Sequence, residues 1–245
     1  MKKTFMFLSI AAVCMAYEAK VQPFEKYKIK AAVSGIVVKS EKTLEAKNIT
    51  DKIIVKIDDR QNKIDLNNLK LQYEILKKEI ENQQQIVKRK KNVYEKYKNL
   101  KTKSQMEKDL KFYDYMNALN QLLNLKSQLD NTSANIDKIK DIINKKNIKA
   151  NGYVYKIYVN KNDYVAPGVL VAEVDDVSKQ KLTVYVPIED IGSIKNKHVY
   201  INGKKSNFKI YKIWNIPDTQ YITSYKVELV GNGLKFGKIV KVEFK

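Results

Sequence analysis

Cysteine and histidine are nearly missing from this chain, with one of each in 245 residues. That scarcity excludes a four-cysteine or two-cysteine, two-histidine zinc site, an iron–sulfur cluster, a disulfide framework, and every His-centred Ser or Cys triad except one built on His198. Glycine and proline are also few, eight and four, and all of them lie outside residues 36–151. A long unbroken element therefore occupies the middle of the chain. Acidic residues fall well short of basic ones, 27 against 47, which leaves a formal charge of +20. Apolar residues make up 44%, too many for a disordered polycation and enough for a packed core. Neither a Gly-rich phosphate loop nor a nucleophile motif is found, so few catalytic options remain.

What is present begins with an export signal. Met1-Lys2-Lys3 is followed by an apolar run ending at Ala16, in the order of a secretory signal peptide. The run is about a dozen residues, short of the roughly 20 that a spanning helix needs. Cys14 and Ala16 occupy the small positions before a cut at Tyr17, so cleavage after Ala16 is expected; an uncleaved membrane anchor is the alternative. Cleavage removes the sole Cys, which suits an oxidising compartment outside the cytoplasm.

Between about Asn62 and Lys146 the apolar residues follow a helical repeat. Leu69, Tyr73, Leu76, Ile80, Gln83, Val87, Lys90, Tyr94 and Tyr97 alternate spacings of four and three, the heptad seam of a coiled coil. Leu122, Leu125, Leu129, Thr132, Ile136, Ile139 and Ile143 repeat the pattern in a second arm. The break falls at Asn99 to Ser104, where Ser104 caps a new helix with Glu107 completing a capping box. So short a break predicts an antiparallel hairpin with arms of about 50 to 60 Å. Gln83 and Lys90 weaken the seam and are candidates to fix its register.

The flanking segments are related by an ungapped shift. Val33-Ser-Gly-Ile-Val-Val-Lys39 aligns with Ala150-Asn-Gly-Tyr-Val-Tyr-Lys156, and Ile53-Ile-Val-Lys-Ile-Asp-Asp59 with Leu170-Val-Ala-Glu-Val-Asp-Asp176. Each copy reads as a Gly-led strand, a polar turn and a second strand ending in Asp-Asp. Two such halves, each too small to bury its own apolar face, predict one β-sandwich with the hairpin inserted between them. Beyond Asp176, the stretches Leu182–Val186, Val199–Ile201, Phe208–Trp214, Tyr221–Val230 and Ile239–Phe244 read as short strands of a small barrel or sandwich. Ile188–Ile194 suits one helical turn, and Tyr17–Ile29 suits an added edge strand.

This order of elements resembles the periplasmic adaptor proteins, also called membrane fusion proteins or the HlyD-like family. Gly152-Tyr-Val-Tyr-Lys-Ile-Tyr-Val-Asn-Lys-Asn-Asp-Tyr-Val-Ala-Pro-Gly168, with Leu170 to Ser178 and Val184 to Ile194 after it, looks like the second lipoyl half-motif running into the barrel. Val33-Ser-Gly35-Ile-Val37 looks like the first half. The resemblance implies an α+β multi-domain fold: a lipoyl-like β-sandwich with an inserted antiparallel α-helical coiled-coil hairpin, followed by a small β-barrel. Its expected boundaries are a signal peptide at 1–16, an N-terminal strand joining the barrel at 17–30, half-motif 1 at 31–59, the hairpin at 60–147, half-motif 2 at 148–176 and the barrel at 177–245. It implies no catalytic activity and no cofactor. It implies a homo-oligomeric ring, commonly a hexamer, in the periplasm, associated with the inner membrane through its partner. That ring joins an inner-membrane transporter, of RND or ABC type, to a TolC-type outer-membrane channel. The nearest counterparts of the Arg, Leu and Ser of the family's channel-contacting tip are Lys96, Leu100 and Ser104, and with Lys103 they are the expected channel contacts; Lys96 keeps the charge of the usual Arg but loses the bidentate fork. A membrane-proximal domain after the barrel is expected to be absent.

Other features have plainer readings. The cofactor-bearing turn of a true lipoyl carrier is replaced here by the hairpin. His198 reads as an ordinary strand residue with no second imidazole to share a metal. Asp58-Asp59 and Asp175-Asp176 suit strand-end capping or, if duplication brings the pairs together, a calcium site. Residues 88–103 hold eight Lys or Arg against Glu95 alone. Nucleic acid would suit this charge, but export argues against it, which leaves a solvated face or an electrostatic guide towards an acidic channel mouth. A different use of the same charge is a free periplasmic protein whose basic coiled coil holds acidic envelope polymers or lipid headgroups.

Overall fold

The computed structural model describes residues 16–217 and 219–245, so the signal segment, Ala16 apart, lies outside the described residues. Two bodies each enclose a core. The lipoyl-like body is built from β3 (Gly35–Ser40), β4 (Asn48–Ile57), β5 (Asn147–Ile157), β6 (Tyr164–Val165) and the first half of β7 (Leu170–Pro187). Within the large sheet the hydrogen-bonded order runs β7-β5-β4-β3-β6. Its core takes Val37 from β3, Ile54 and Ile57 from β4, Val154 and Ile157 from β5, and Val171 and Val174 from β7, all fully buried. Burial of that many branched side chains on a pleated surface is the main favourable contribution to folding this body.

The internal repeat is visible in the backbone. Gly35 and its counterpart Gly152 both take left-handed φ, +151° and +125°. A Cβ on Gly35 would lie 2.6 Å from Ile57 Cγ2, and one on Gly152 would lie 3.2 Å from Cγ1 of Val174, the residue equivalent to Ile57. The backbone ties are reciprocal as well: Val37 exchanges bonds with the Asn162–Asp163 turn, and Val154 with Ala46 and Lys47. Neither half closes without the other, as the sequence repeat predicts.

The second body is a small barrel with two walls. One consists of the second half of β7, β11 (Ser224–Gly231) and β10 (Lys209–Pro217); the other runs β1 (Tyr17–Lys20), β12 (Ile239–Phe244), β8 (Val199–Ile201), β9 (Lys204–Lys205). Leu182, Val184, Val227, Leu229, Val240 and Val242 fill the space between them. The expected helical turn is present as a 3-10 turn at Ile188–Asp190 and a short helix α3 (Ile191–Ile194).

Three expectations are corrected. The N-terminal segment is two strands: β1 joins the barrel, whereas β2 (Gln22–Lys30) lies along β7 from Lys181 to Leu170 and so belongs to both bodies. The second Asp-Asp does not end a strand, because β7 continues through it for 18 residues. The aspartates also do not share one role. Asp58 is held by Arg60, whose guanidinium bonds bring its carboxyl down to about 2. Asp59 is buried and pairs with Lys63 at 3.0 Å, and Asp176 accepts from the Ser178 amide at 2.9 Å. Among the described residues no three His, Cys, Asp or Glu side chains gather as a metal site would require.

Asp175 is the exception among them. It sits mid-strand between Lys26 on β2 and Tyr153 on β5, buried, and its Oδ1 meets no hydrogen-bond donor among the described residues. Burial pushes its carboxyl up, the Lys26 charge opposes this, and Glu173 adds to it. The folded chain thus keeps this proton to higher pH than the unfolded chain does, so stability from this group is complete below the ordinary carboxylate value and is lost as pH rises through the raised one. Asp175→Asn is expected to stabilise the protein at neutral pH by about 1–2 kcal/mol and to flatten this part of the stability profile. Urea unfolding at several pH values checks it; a variant less stable than wild type at pH 7 would contradict the assignment.

Candidate functional site: the hairpin and its tip

Between β4 and β5 the chain leaves the sheet as α1 (Arg60–Asn99) and returns as α2 (Gln105–Lys146). At 1.5 Å per residue both helices extend about 60 Å. Of the nine seam positions predicted in α1 and the seven in α2, Leu76, Ile80, Gln83, Leu122, Thr132 and Ile136 are buried outright and the others are half-buried. The α2 seam also continues towards the tip through Ala118 and Tyr115.

The polar seam residues have specific partners. Gln83 Nε2 donates to the Ala118 carbonyl at 2.8 Å, and Lys90 Nζ lies 3.4 Å from Asp114 Oδ2. Both contacts cross from α1 to α2, so a slip of the two helices would leave a buried amide unpaired. This is how these residues specify register. Nearer the tip, aromatic rings replace aliphatic packing. Tyr94 lies against Phe112 and Tyr115 at centroid distances of 5.4 and 6.3 Å, and the ammonium groups of Lys103 and Lys111 approach the Tyr97 ring at 5.5 and 5.8 Å. Lysine stems cover the seam while their charges stay in water.

All four tip residues expected from the sequence come together at the turn between α1 and α2. Lys96 is exposed on the last turn of α1, where its charge complements the helix C-terminus. Leu100 ends that helix, its N–H donating to the Tyr97 carbonyl at 3.1 Å, and leaves its side chain exposed. Ser104 is the N-cap of α2: its Oγ accepts from the Glu107 amide, and the Glu107 carboxylate accepts from the Ser104 amide at 3.0 Å, completing the predicted capping box. Lys103 pairs with Glu107 at 2.9 Å; that bond raises the Lys103 ammonium and, with the Ser104 donors, lowers the Glu107 carboxyl. Ser104 and Lys103 are therefore used in closing the turn, and Ser104→Ala should cost the tip about 1 kcal/mol. Hydrogen exchange at the first amides of α2 should speed up while global unfolding stays unchanged.

Sequence reasoning missed a set of apolar side chains on the outside. Met106, Leu110 and Tyr113 are 75%, 54% and 61% exposed on the first turns of α2. Ile86 and Val93 are exposed along one flank of α1, in seven-residue step with Leu100, which was expected at the tip. Their spacing was a usable signal, since 86, 93 and 100 repeat every seven residues, and 106, 110 and 113 follow the four-three pattern of a second stripe. Leu100 and Met106 are the exposed apolar side chains nearest the turn, and Lys96 and Lys101 are exposed close to them in the chain. Among the described residues no helix is long and apolar enough to cross a membrane.

No family model and no curated protein matches this chain. Solved structures do. MacA from Actinobacillus actinomycetemcomitans aligns over 94% of this chain and 78% of its own, with a TM-score of 0.76 and 14% identity. The membrane fusion protein Spr0693 from Streptococcus pneumoniae R6 aligns over 94% and 98%, with a TM-score of 0.61 and 12% identity. A MacA–MexA chimera containing the Pseudomonas aeruginosa MexA α-hairpin domain aligns over 94% and 78%, with a TM-score of 0.57 and 14% identity.

Proposed function

We propose that this chain, which has the fold of the membrane fusion proteins, is a periplasmic adaptor of an efflux or secretion assembly, linking an inner-membrane transporter to a TolC-type outer-membrane channel. The observation that supports this reading best is the hairpin. Two helices of about 60 Å with a polar-pinned seam are far longer than a core of this mass requires, and they end in an exposed apolar surface rather than in a packed one. The role is mechanical. The rod covers distance, the lipoyl-like bodies stand side by side in a ring, commonly of six, and the barrels rest on a transporter of RND or ABC type. Lys96, Leu100, Lys103 and Ser104, with Met106 and Leu110 beside them, would meet the channel. The ammonium groups there speed approach to an acidic mouth, and the apolar residues set how long the contact lasts.

The test is thiol cross-linking in cells from Leu100→Cys and Met106→Cys, each in a Cys14→Ser background, with Tyr155→Cys as an exposed site away from the tip. Capture of an outer-membrane channel from the tip sites, and not from Tyr155→Cys, supports the reading. Failure to capture a channel from either tip site, with the transporter and channel co-expressed, overturns it.

A further inference from the structure

The barrel carries a basic cleft to which the adaptor role assigns no ligand. After α3 the chain runs through Lys195, Lys197 and His198 into β8, turns at Asn202–Gly203, and comes back through Lys205 to Phe208 and Lys209. The Ser206 amide and hydroxyl both donate to the Val199 carbonyl, at 3.0 and 2.9 Å, which brings these two stretches face to face. His198 in turn exchanges backbone bonds with Lys245 just past the end of β12, so the stretch that leads into β8 is anchored to the barrel. Phe208 is buried between the walls and packs over Gly231, forming an apolar floor.

The result is a cleft of about 530 Å³, and a second of about 490 Å³ shares Lys205, Ser206, Asn207 and Phe208 in its lining. The lining of the first includes four lysines, one histidine and no carboxylate. Among the described residues, no Asp or Glu lies within ion-pairing distance of Lys195, Lys197, Lys205 or Lys209, and all four line this one cleft. A cleft of about 430 Å³ beside Tyr27, Asn48 and Asp176, on the same molecule, has no Lys or Arg in its lining.

We propose that this barrel cleft binds a phosphate-bearing ligand. Lysine ammonium groups are compact point charges with three donors each, suited to a tetrahedral anion that presents several acceptors. The two adjoining clefts give room for more than one phosphate or for a phosphate with an organic substituent, within the range usual for small-ligand sites. A bound anion would bridge the α3 loop to the β9–β10 loop and tie down the edge of the barrel. The phosphate can belong to a soluble compound or to a lipid headgroup, and the experiment separates the two.

His198 is the only histidine in the chain, so its ring resonances report on this cleft without any substitution. The full chain is titrated with sodium pyrophosphate at low salt while those resonances are followed, and it is floated with vesicles of phosphatidylglycerol or of phosphatidylcholine. Saturable movement of the His198 signals with pyrophosphate identifies a soluble phosphate ligand. Binding to phosphatidylglycerol but not phosphatidylcholine vesicles, without a pyrophosphate effect, identifies a lipid headgroup. In either case Lys197→Gln/Lys205→Gln/Lys209→Gln should weaken binding at least about tenfold, while Lys96→Gln/Lys98→Gln/Lys101→Gln on the hairpin should change it less than about twofold. Absence of both effects, or equal losses from the two triple variants, overturns the proposal. Should the barrel triple variant fail to fold, Lys205→Gln alone is used, with an expected loss of about threefold.

Discussion

Gly152→Val is expected to destabilise the lipoyl-like body by about 2–6 kcal/mol. The residue takes φ +125°, and a Cβ there would stand 2.8 Å from the Asp175 carbonyl oxygen on the neighbouring strand β7. That oxygen belongs to the backbone of an interior strand, flanked by β5 and β2, and has no room to withdraw. A β-branched side chain adds strain in a region of φ it does not tolerate, at about 1–3 kcal/mol, and overpacking costs a further 1–3 kcal/mol or so. The sum is comparable to much of the ~5–15 kcal/mol that stabilises a domain. The symmetry-related Gly35 provides the comparison. Its Cβ would meet the Ile57 Cγ2 methyl at 2.6 Å, which can yield only by moving χ1 of a stiff side chain in a filled core. The Asp175 carbonyl can yield only with its whole strand, so Gly35→Ala should be destabilising but cost less than Gly152→Ala. Thermal unfolding followed by circular dichroism ranks the two. Equal melting temperatures would show that the Asp175 carbonyl is not the rigid wall described.

Leu229→Ala should have the next largest effect, about 3–4 kcal/mol, and should act on the barrel. Leu229 is fully buried on β11, directly opposite Leu182 on β7, which is equally buried, and next to Ile210 on β10. Removing three carbons there leaves a void that neither strand can close without breaking its ladder. The barrel core and the lipoyl-like core share no residue, so the damage should show first in barrel amides. Hydrogen exchange of Val184, Val227 and Val242 should accelerate well before that of Val37 and Val154. Uniform acceleration would mean that the two cores melt as one unit.

Features held within a few residues of sequence were legible in advance. The seam of both helices follows directly from a three-four spacing, and the capping box at Ser104 and Glu107 from a four-residue pattern. Gly35 and Gly152 stood out because a repeat places equal demands on both copies. Pairings between distant segments were less visible. The Asp-Asp at 175–176 looked like a strand end, since nothing in β7 itself shows that β2 supplies partners on both sides of it. The split of the N-terminal segment at Val21 depends on which neighbours its strands find: β1 pairs with β12 and β2 with β7. The exposed residues at the tip were hidden beside a stronger seam. The lysines of the barrel cleft are neighbours only because the β8–β9 turn folds one stretch onto the other.

The 18 residues of β7, with β2 laid against most of their length, make a splint across the boundary between the two β bodies. Bending there would break ladder bonds in both strands at once, so tilting the barrel turns the lipoyl-like body with it. At the root of the stalk, α1 follows β4 after two residues and α2 runs straight into β5, and Lys146 on the Asp58 carbonyl and Lys63 on Asp59 tie these crossings down, so the splint and the stalk meet in one stiff corner.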